Sequence, residues 1–170
     1  MERPVHTSDI RIRPSRPEEL DTVLGLLDSG REIMHSSGNP LQWPKGTPSP
    51  EKVMRDIEGG HSYLILQDGA PVATFAFIPG PDPTYARIDG GAWLSDRPYY
   101  VIHRIAKLPA AAGVFKTMMD WCFSQSANIR IDTHHDNAIM RHCLEKYGFS
   151  YCGIIYLENG DERLAYQKEL

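Results

Sequence analysis

A mixed α/β domain is the fold class the sequence predicts, on three observations. Two runs of extended character, residues 62–67 and 71–78, meet across Asp68-Gly69, a dipeptide that supplies the positive φ angles of a tight hairpin. Strand, loop, helix, strand and helix patterns follow one another between residues 99 and 147. At 170 residues, with 41% hydrophobic and 24% charged residues, the chain has the length and ordinary composition of one domain, residues 1–170, around one core.

Residues 10–13 alternate with the period of a strand. Ser15 and Glu18 stand at capping-box spacing with Pro17 between them, so a helix follows, with its apolar stripe at Leu20, Val23, Leu24 and Leu27. Gly38, Asn39 and Pro40 break the chain, and a loop runs through Trp43, Pro44, Gly46 and Pro48. Ser49 and Pro50 suit the N-cap and first position of a second helix, whose inner face is Val53, Met54 and Ile57 and which Gly59 and Gly60 end. After the hairpin, the loop Gly80-Pro81-Asp82-Pro83 leads into residues 85–94, read as strand pieces broken at Gly90-Gly91. Residues 99–106 form another strand, residues 113–126 an amphipathic helix with Phe115, Met118, Met119 and Cys122 on one face, and residues 129–133 a short strand. Asp136 or Asn137 opens the last helix, with Ile139, Met140, Cys143, Leu144 and Tyr147 inward and Gly148 at its exit. Two closing strands, residues 149–157 and 163–168, flank an Asn159-Gly160 turn.

A chain of this length buries roughly 70% of the surface it exposes when unfolded, so it requires neither a disulfide scaffold nor a structural metal. Cys122, Cys143 and Cys152, an odd number without CxxC spacing, read as reduced and mostly buried thiols. No apolar run approaches the roughly 20 residues of a membrane span, and Met1-Glu2-Arg3-Pro4 begins no signal peptide, so the cytoplasm is expected. A net charge of -4 argues against nucleic acid and membrane as partners, while leaving room for a local basic pocket.

Chemistry centres on the handover from the strand ending near Lys107 to the helix starting at Gly113. A glycine there lets backbone N–H groups approach a phosphate, with help from the helix dipole, although an ordinary turn uses glycine equally well. The series His103-Arg104-Ile105-Ala106, Gly113, Arg130-Ile131-Asp132-Thr133, Asp136-Asn137 and Leu144-Glu145-Lys146-Tyr147-Gly148-Phe149, in that order between Val101 and Gly153, resembles motifs A and B of the GNAT superfamily of N-acetyltransferases. That resemblance implies a central mixed, mostly antiparallel sheet flanked by about four helices. It also implies acetyl-CoA as co-substrate and an amine-bearing small molecule or peptide as acceptor, and it is compatible with a homodimer. The backbone of Ile105, Ala106 and Lys107 would hold the pantetheine arm like an added strand. The helix start at Gly113, Val114, Phe115 and Lys116 would hold the pyrophosphate, and Asn137 would contact the cofactor near its pantetheine portion. Lys116, Arg141 and Lys146 either reach the 3'-phosphate or are merely solvated.

Two positions depart from the family pattern. Its phosphate loop carries Arg or Gln, two residues, Gly, one residue, then Gly or Ala; here those places hold Ala110, Gly113 and Phe115. The place of its usual tyrosine acid is Leu144; Tyr147, Tyr151, Tyr156 and Cys143 lie nearby in sequence, Tyr147 being the candidate acid, and water can serve in its stead because a thiolate is a tolerable leaving group. The expected mechanism is direct attack in a ternary complex, in which a base deprotonates the acceptor ammonium and a backbone N–H near Lys107 stabilises the oxyanion. His103, His134, His135 and Asp132 are the candidate bases, histidine because its ordinary pKa of about 6.5 suits proton removal near neutrality. His134-His135-Asp136 with His142 lacks recognised ligand spacing, so no metal is expected. Trp43, Tyr85, Trp93, Tyr99 and Tyr100 are candidates to line the acceptor pocket, and the loop of residues 35–47 to set its specificity. The alternative is a catalytically silent CoA-binding or protein-interaction module on the same fold.

Overall fold

One sheet of seven strands carries the structure: β1 (Ile10–Pro14), β2 (Ser62–Gln67), β3 (Ala70–Pro79), β4 (Tyr100–Lys107), β5 (Asn128–Thr133), β6 (Ser150–Tyr156) and β7 (Glu162–Glu169), in the order β1-β2-β3-β4-β5-β7-β6. This computed structural model describes residues 9–170, so the reading of Met1 to Pro4 lies outside the described residues. Each neighbouring pair is antiparallel except β4 with β5, which run parallel. Four helices, α1 (Leu20–Ser36), α2 (Pro50–Glu58), α3 (Val114–Gln125) and α4 (Ala138–Tyr147), cover the two faces. Strand alternation divides the core between them. Ile65, Phe75, Ile102, Ile129 and Ile131 pack with Met118, Met119 and Leu144 of α3 and α4, whereas Leu64 and Ala106 pack with Val23, Leu27, Val53 and Ile57 of α1 and α2. No helix among the described residues is long and apolar enough to cross a membrane.

Local signals act as the sequence predicts at most boundaries. Asp68 and Gly69 take φ angles of 51° and 84° in the β2–β3 turn, and Ser49 Oγ accepts the Lys52 N–H at 3.3 Å to start α2. Three expectations are corrected. The carboxylate that caps the first helical turn belongs to Glu19, which accepts the Arg16 N–H at 3.0 Å, while Ser15 Oγ pairs with Ser62 Oγ at 2.9 Å. Ile139 lies outward on α4 and is 55% exposed. Residues 85–94 form no strand beyond an isolated bridge between Asp89 and Ile154. Side chains serve the backbone there and just beyond: Trp93 Nε1–H donates to the Tyr85 carbonyl and Leu94 N–H to Gln167 Oε1, and past the segment Arg130 and Asn128 donate to the carbonyls of Ser95, Arg97 and Pro98.

One irregularity sets the shape of the site. Thr74 pairs with Ala106 and Ala76 with His103, so Arg104 and Ile105 together face Phe75 in a bulge. The β4–β5 pairing consists of Tyr100 with Ile129 and Val101 with Arg130 and ends there. Past Val101 the two strands splay, and among the described residues the β5-facing edge of β4 has no strand partner.

Candidate active site

The bulge depends on a residue that does not favour it. Arg104 has a φ of 54°, in the left-handed region that costs a side-chain-bearing residue about 1–2 kcal/mol. Its guanidinium is anchored by a two-pronged ion pair to Asp56 of α2, Nε to Oδ2 at 2.6 Å and Nη2 to Oδ1 at 2.8 Å, both side chains largely buried. A groove opens where β4 and β5 part, lined by Ile105, Ala106 and Lys107, by Val114 and Phe115 of α3, and by Asn137 and Cys143. Gly30 of α1 forms its other wall. A Cβ there would stand 2.6 Å from Ala106 Cβ, so only glycine lets α1 lie this close to β4.

The groove runs toward the start of α3. Gly113 is the N-cap with φ of 72°; an added Cβ would meet nothing within 4 Å, so conformation rather than space requires the glycine. In the first turn, the amides of Val114, Phe115 and Lys116 have no intrahelical acceptor. Lys107 Nζ donates to the carbonyls of Ala111 at 3.0 Å and Leu108 at 3.4 Å, which sets a cation beside the same loop. Free N–H groups next to a fixed positive charge form a place that receives anions. The Lys116 side chain is turned to Asp120 at 2.7 Å, and the Phe115 ring packs edge-on to Tyr147 with centroids 6.3 Å apart.

A second, wider cleft shares Met34, Ile105, Asn137 and Met140 with the groove as a common wall. His103 lines it. Its Nε2 lies 2.9 Å from Asp82 Oδ2 and its Nδ1 3.9 Å from Asp132 Oδ2. Thr84 donates its N–H at 2.9 Å and its hydroxyl at 2.7 Å to Asp82 Oδ1. Burial pushes the Asp82 carboxyl up, but the bonds from His103 and Thr84 outweigh it and hold the group down at about 2. The Tyr85 hydroxyl, deep in the core, donates to Asp132 Oδ2 at 2.6 Å; burial and that carboxylate raise it well above its ordinary range, so it remains a donor. The imidazole therefore stands between two carboxylates, an arrangement that orients it.

Asn137 sits at the common wall with both ends engaged. Its Oδ1 accepts the Met140 N–H at 3.0 Å as the α4 cap, and its Nδ2 donates to Gln42 Oε1 at 3.0 Å. That oxygen also accepts from Asn39 Nδ2 at 2.9 Å and from Thr133 Oγ1 and His134 N–H at 3.3 Å each. Gln42, and Asp82 beside His103, are site residues that sequence reasoning missed. Asp82 bears a faint signal, an Asp-Pro-Thr turn, whereas Gln42 lies in the loop of residues 35–47 expected to set specificity but carries no mark of its own.

Other candidates lie away from the cleft. His134 is 6% exposed, lines neither cavity, stacks on His135 and accepts the Asp136 N–H at Nδ1; burial first, then Arg163 and His135, lower its pKa. Its lone pair is thus committed, which also disfavours the His134, His135 and Asp136 cluster as a ready ligand set. Tyr147 also lines neither cavity. It stacks on Phe123 and donates to Asp120 at 2.6 Å, and burial and that bond raise its pKa, so the expected acid is turned toward α3. Trp43 lines the wide cleft, whereas Trp93 and Tyr99 enclose the Arg130 guanidinium and Tyr100 stacks on Phe77.

No protein-family model and no curated protein matches the sequence. Solved structures do. A GNAT-family acetyltransferase from Streptococcus agalactiae superposes with a TM-score of 0.86 at 32% identity over 95% of each chain. A second, from Listeria monocytogenes, gives 0.72 at 21% identity, again over 95% of each. The polyamine N-acetyltransferase of Drosophila melanogaster gives 0.66 at 13% identity over 95% of this chain and 100% of its own, a likeness of fold. With a mostly antiparallel seven-stranded sheet that splays after β4, four helices, and a relative this similar along nearly the whole length, the chain belongs to the GNAT family of acetyltransferases.

Proposed function

We propose that the chain works as one domain, an acetyl-CoA-dependent N-acetyltransferase that acetylates a primary amine by direct attack in a ternary complex. One observation carries this reading: an apolar groove with an anion-receiving end meets a cleft holding His103, and the two share the wall formed by Ile105 and Asn137. The residues present fit the co-substrate. The unpartnered β4 edge at Ile105, Ala106 and Lys107 suits an extended amide-bearing arm, and the amides of Val114, Phe115 and Lys116 with the Lys107 ammonium suit a pyrophosphate.

Acetyl-CoA supplies the thioester carbonyl when bound. His103, oriented by Asp82, takes a proton from the acceptor ammonium, and the free amine attacks that carbon. A backbone N–H on the β4 edge near Lys107 meets the negative charge that develops on the carbonyl oxygen. As the C–N bond forms and the C–S bond breaks, the electron pair leaves on sulfur and the nitrogen gives up its second proton to water. Tyr147 is held at Asp120, so water protonates the thiolate. The cytoplasm is the compartment proposed for the reaction. Calorimetric titration with acetyl-CoA, with CoA and adenosine bisphosphate as controls, tests the groove, and thiol release with an amine panel tests transfer. Binding without turnover would make the chain a CoA-binding module, and no binding would overturn the reading.

A further inference from the structure

Arg163, the second residue of β7, is 6% exposed, yet it lines the wide cleft. Nη1 donates to the Glu162 carbonyl at 2.9 Å and Nη2 to the Gln42 carbonyl at 3.3 Å. Among the described residues, no carboxylate oxygen lies within 4.0 Å of it. Other shielded arginines are differently provided for: Arg104 has Asp56, Arg13 has Glu19, and Arg130 lies between the rings of Trp93 and Tyr99. Burying a cation is costly unless a counter-charge meets it. Burial lowers the Arg163 pKa, while the more distant Asp132 and Asp161 offset it in part. A guanidinium carries five donors in a planar fork that matches a carboxylate, and two neutral carbonyls leave part of that fork open.

The same cleft is built in the opposite sense at His103. There Asp82 and Asp132 flank the imidazole and would draw an ammonium group. Glu158 and Asp161 also line the cleft, but they are exposed, so water and salt screen them more than the shielded groups below. The buried charges thus form two poles, negative around His103 and positive at Arg163.

We infer that the acceptor is an amino-carboxylate, a zwitterion whose amine is presented at His103 and whose carboxylate is received by Arg163. This deepens the proposed transferase reading and rests on it. Arg163 would be a specificity-determining residue: the carboxylate completes its unfilled fork, whereas a neutral amide in the same place leaves the buried charge unmet.

The test compares α-, β- and ω-amino acids with their carboxamides as acceptors at saturating acetyl-CoA, in the wild-type protein and in Arg163→Gln and Arg163→Lys. The acid-to-amide ratio of kcat/KM should be at least about tenfold higher in the wild type than in Arg163→Gln, chiefly through KM, because bonds between charged groups have that worth. Arg163→Lys should fall between them. Comparison with the variant cancels the intrinsic difference in amine reactivity between acid and amide. If Arg163 only braces the Gln42 loop, the variants will lose both acceptor series equally, and that result overturns the inference, as does a wild-type preference for amides. Should Arg163→Gln fail to fold, the wild-type and Arg163→Lys ratios decide alone. If neither series is acetylated, thermal unfolding with millimolar amino acids separates the two readings. Stabilisation of the wild type by acids but not amides supports the carboxylate site while the transfer reading falls, and no stabilisation by either overturns the carboxylate site as well.

Discussion

The imidazole Nε2 of His103 and the carboxylate Oδ2 of Asp82 lie 2.9 Å apart, in a cleft whose wall is shared with the groove beside β4. On the proposed mechanism, His103→Ala should lower kcat by about 100-fold or more while the fold survives, since a positioned base contributes at least that much. Asp82→Asn should cost less, about tenfold in kcat, because it removes the carboxylate that orients the imidazole but leaves the base. Rates within twofold of wild type for His103→Ala, by thiol release, would remove it from the mechanism.

The same pair has a consequence for acid stability. A carboxyl held at about 2 rather than its ordinary 3.8 contributes stability in full above the unfolded value, and the contribution is lost as pH falls through the folded value. Linkage puts it at up to about 2 kcal/mol. Urea unfolding carried from about pH 5 to about pH 2 should show the wild type losing up to that much more than Asp82→Asn. Equal losses would mean that the native hydrogen bonds do not depress this group.

Asp56 holds the left-handed Arg104 through two short bonds across 48 positions of sequence. Removing one partner of a shielded pair leaves a buried charge unmet, so Asp56→Ala should destabilise the protein by about 3 kcal/mol. The bulge should relax with it and narrow the splay, which predicts weaker acetyl-CoA binding as well. A change under about 1 kcal/mol in urea unfolding would show that the bulge stands without the pair.

Asn137 has two separable duties. Asn137→Asp keeps an oxygen for the Met140 N–H but cannot donate to Gln42, whereas Asn137→Ala loses both bonds. The alanine variant should be less stable by about 1–2 kcal/mol from the lost cap, the aspartate less affected. Both should weaken acetyl-CoA binding in calorimetry if the wall between groove and cleft matters. Unchanged affinity in both would leave Asn137 as a helix cap and nothing more.

Gly30→Ala puts a methyl group 2.6 Å from Ala106 Cβ, so α1 must move off β4 at a cost of about 1–3 kcal/mol. Gly113→Ala meets no neighbour and should cost about 1–2 kcal/mol through its φ alone. Unfolding midpoints check both. A Gly113→Ala variant as stable as wild type would mean that the start of α3 adopts another path.

Sequence alone determined what short-range physics decides. Asp68-Gly69 closes a hairpin because those residues accept positive φ. Ser49 and Asn137 start helices because their side-chain oxygens reach an N–H three positions on, and apolar stripes assign inner faces wherever neighbours leave no alternative. From such pieces, and from motif order between Val101 and Gly153, the family and most of the groove were legible. Residues 85–94 were misread because backbone groups there are met by side chains, Tyr85 O by Trp93 and Leu94 N–H by Gln167, partners that local alternation does not reveal. The cleft was hidden for the same reason: His103 meets Asp82 across 21 positions, Tyr85 meets Asp132 across 47, and Gln42 meets Asn137 across 95. Only the tertiary structure decided those contacts, because they arise when the sheet order and the bulge at Arg104 carry distant segments to one place, whereas propensity and periodicity act over a few residues.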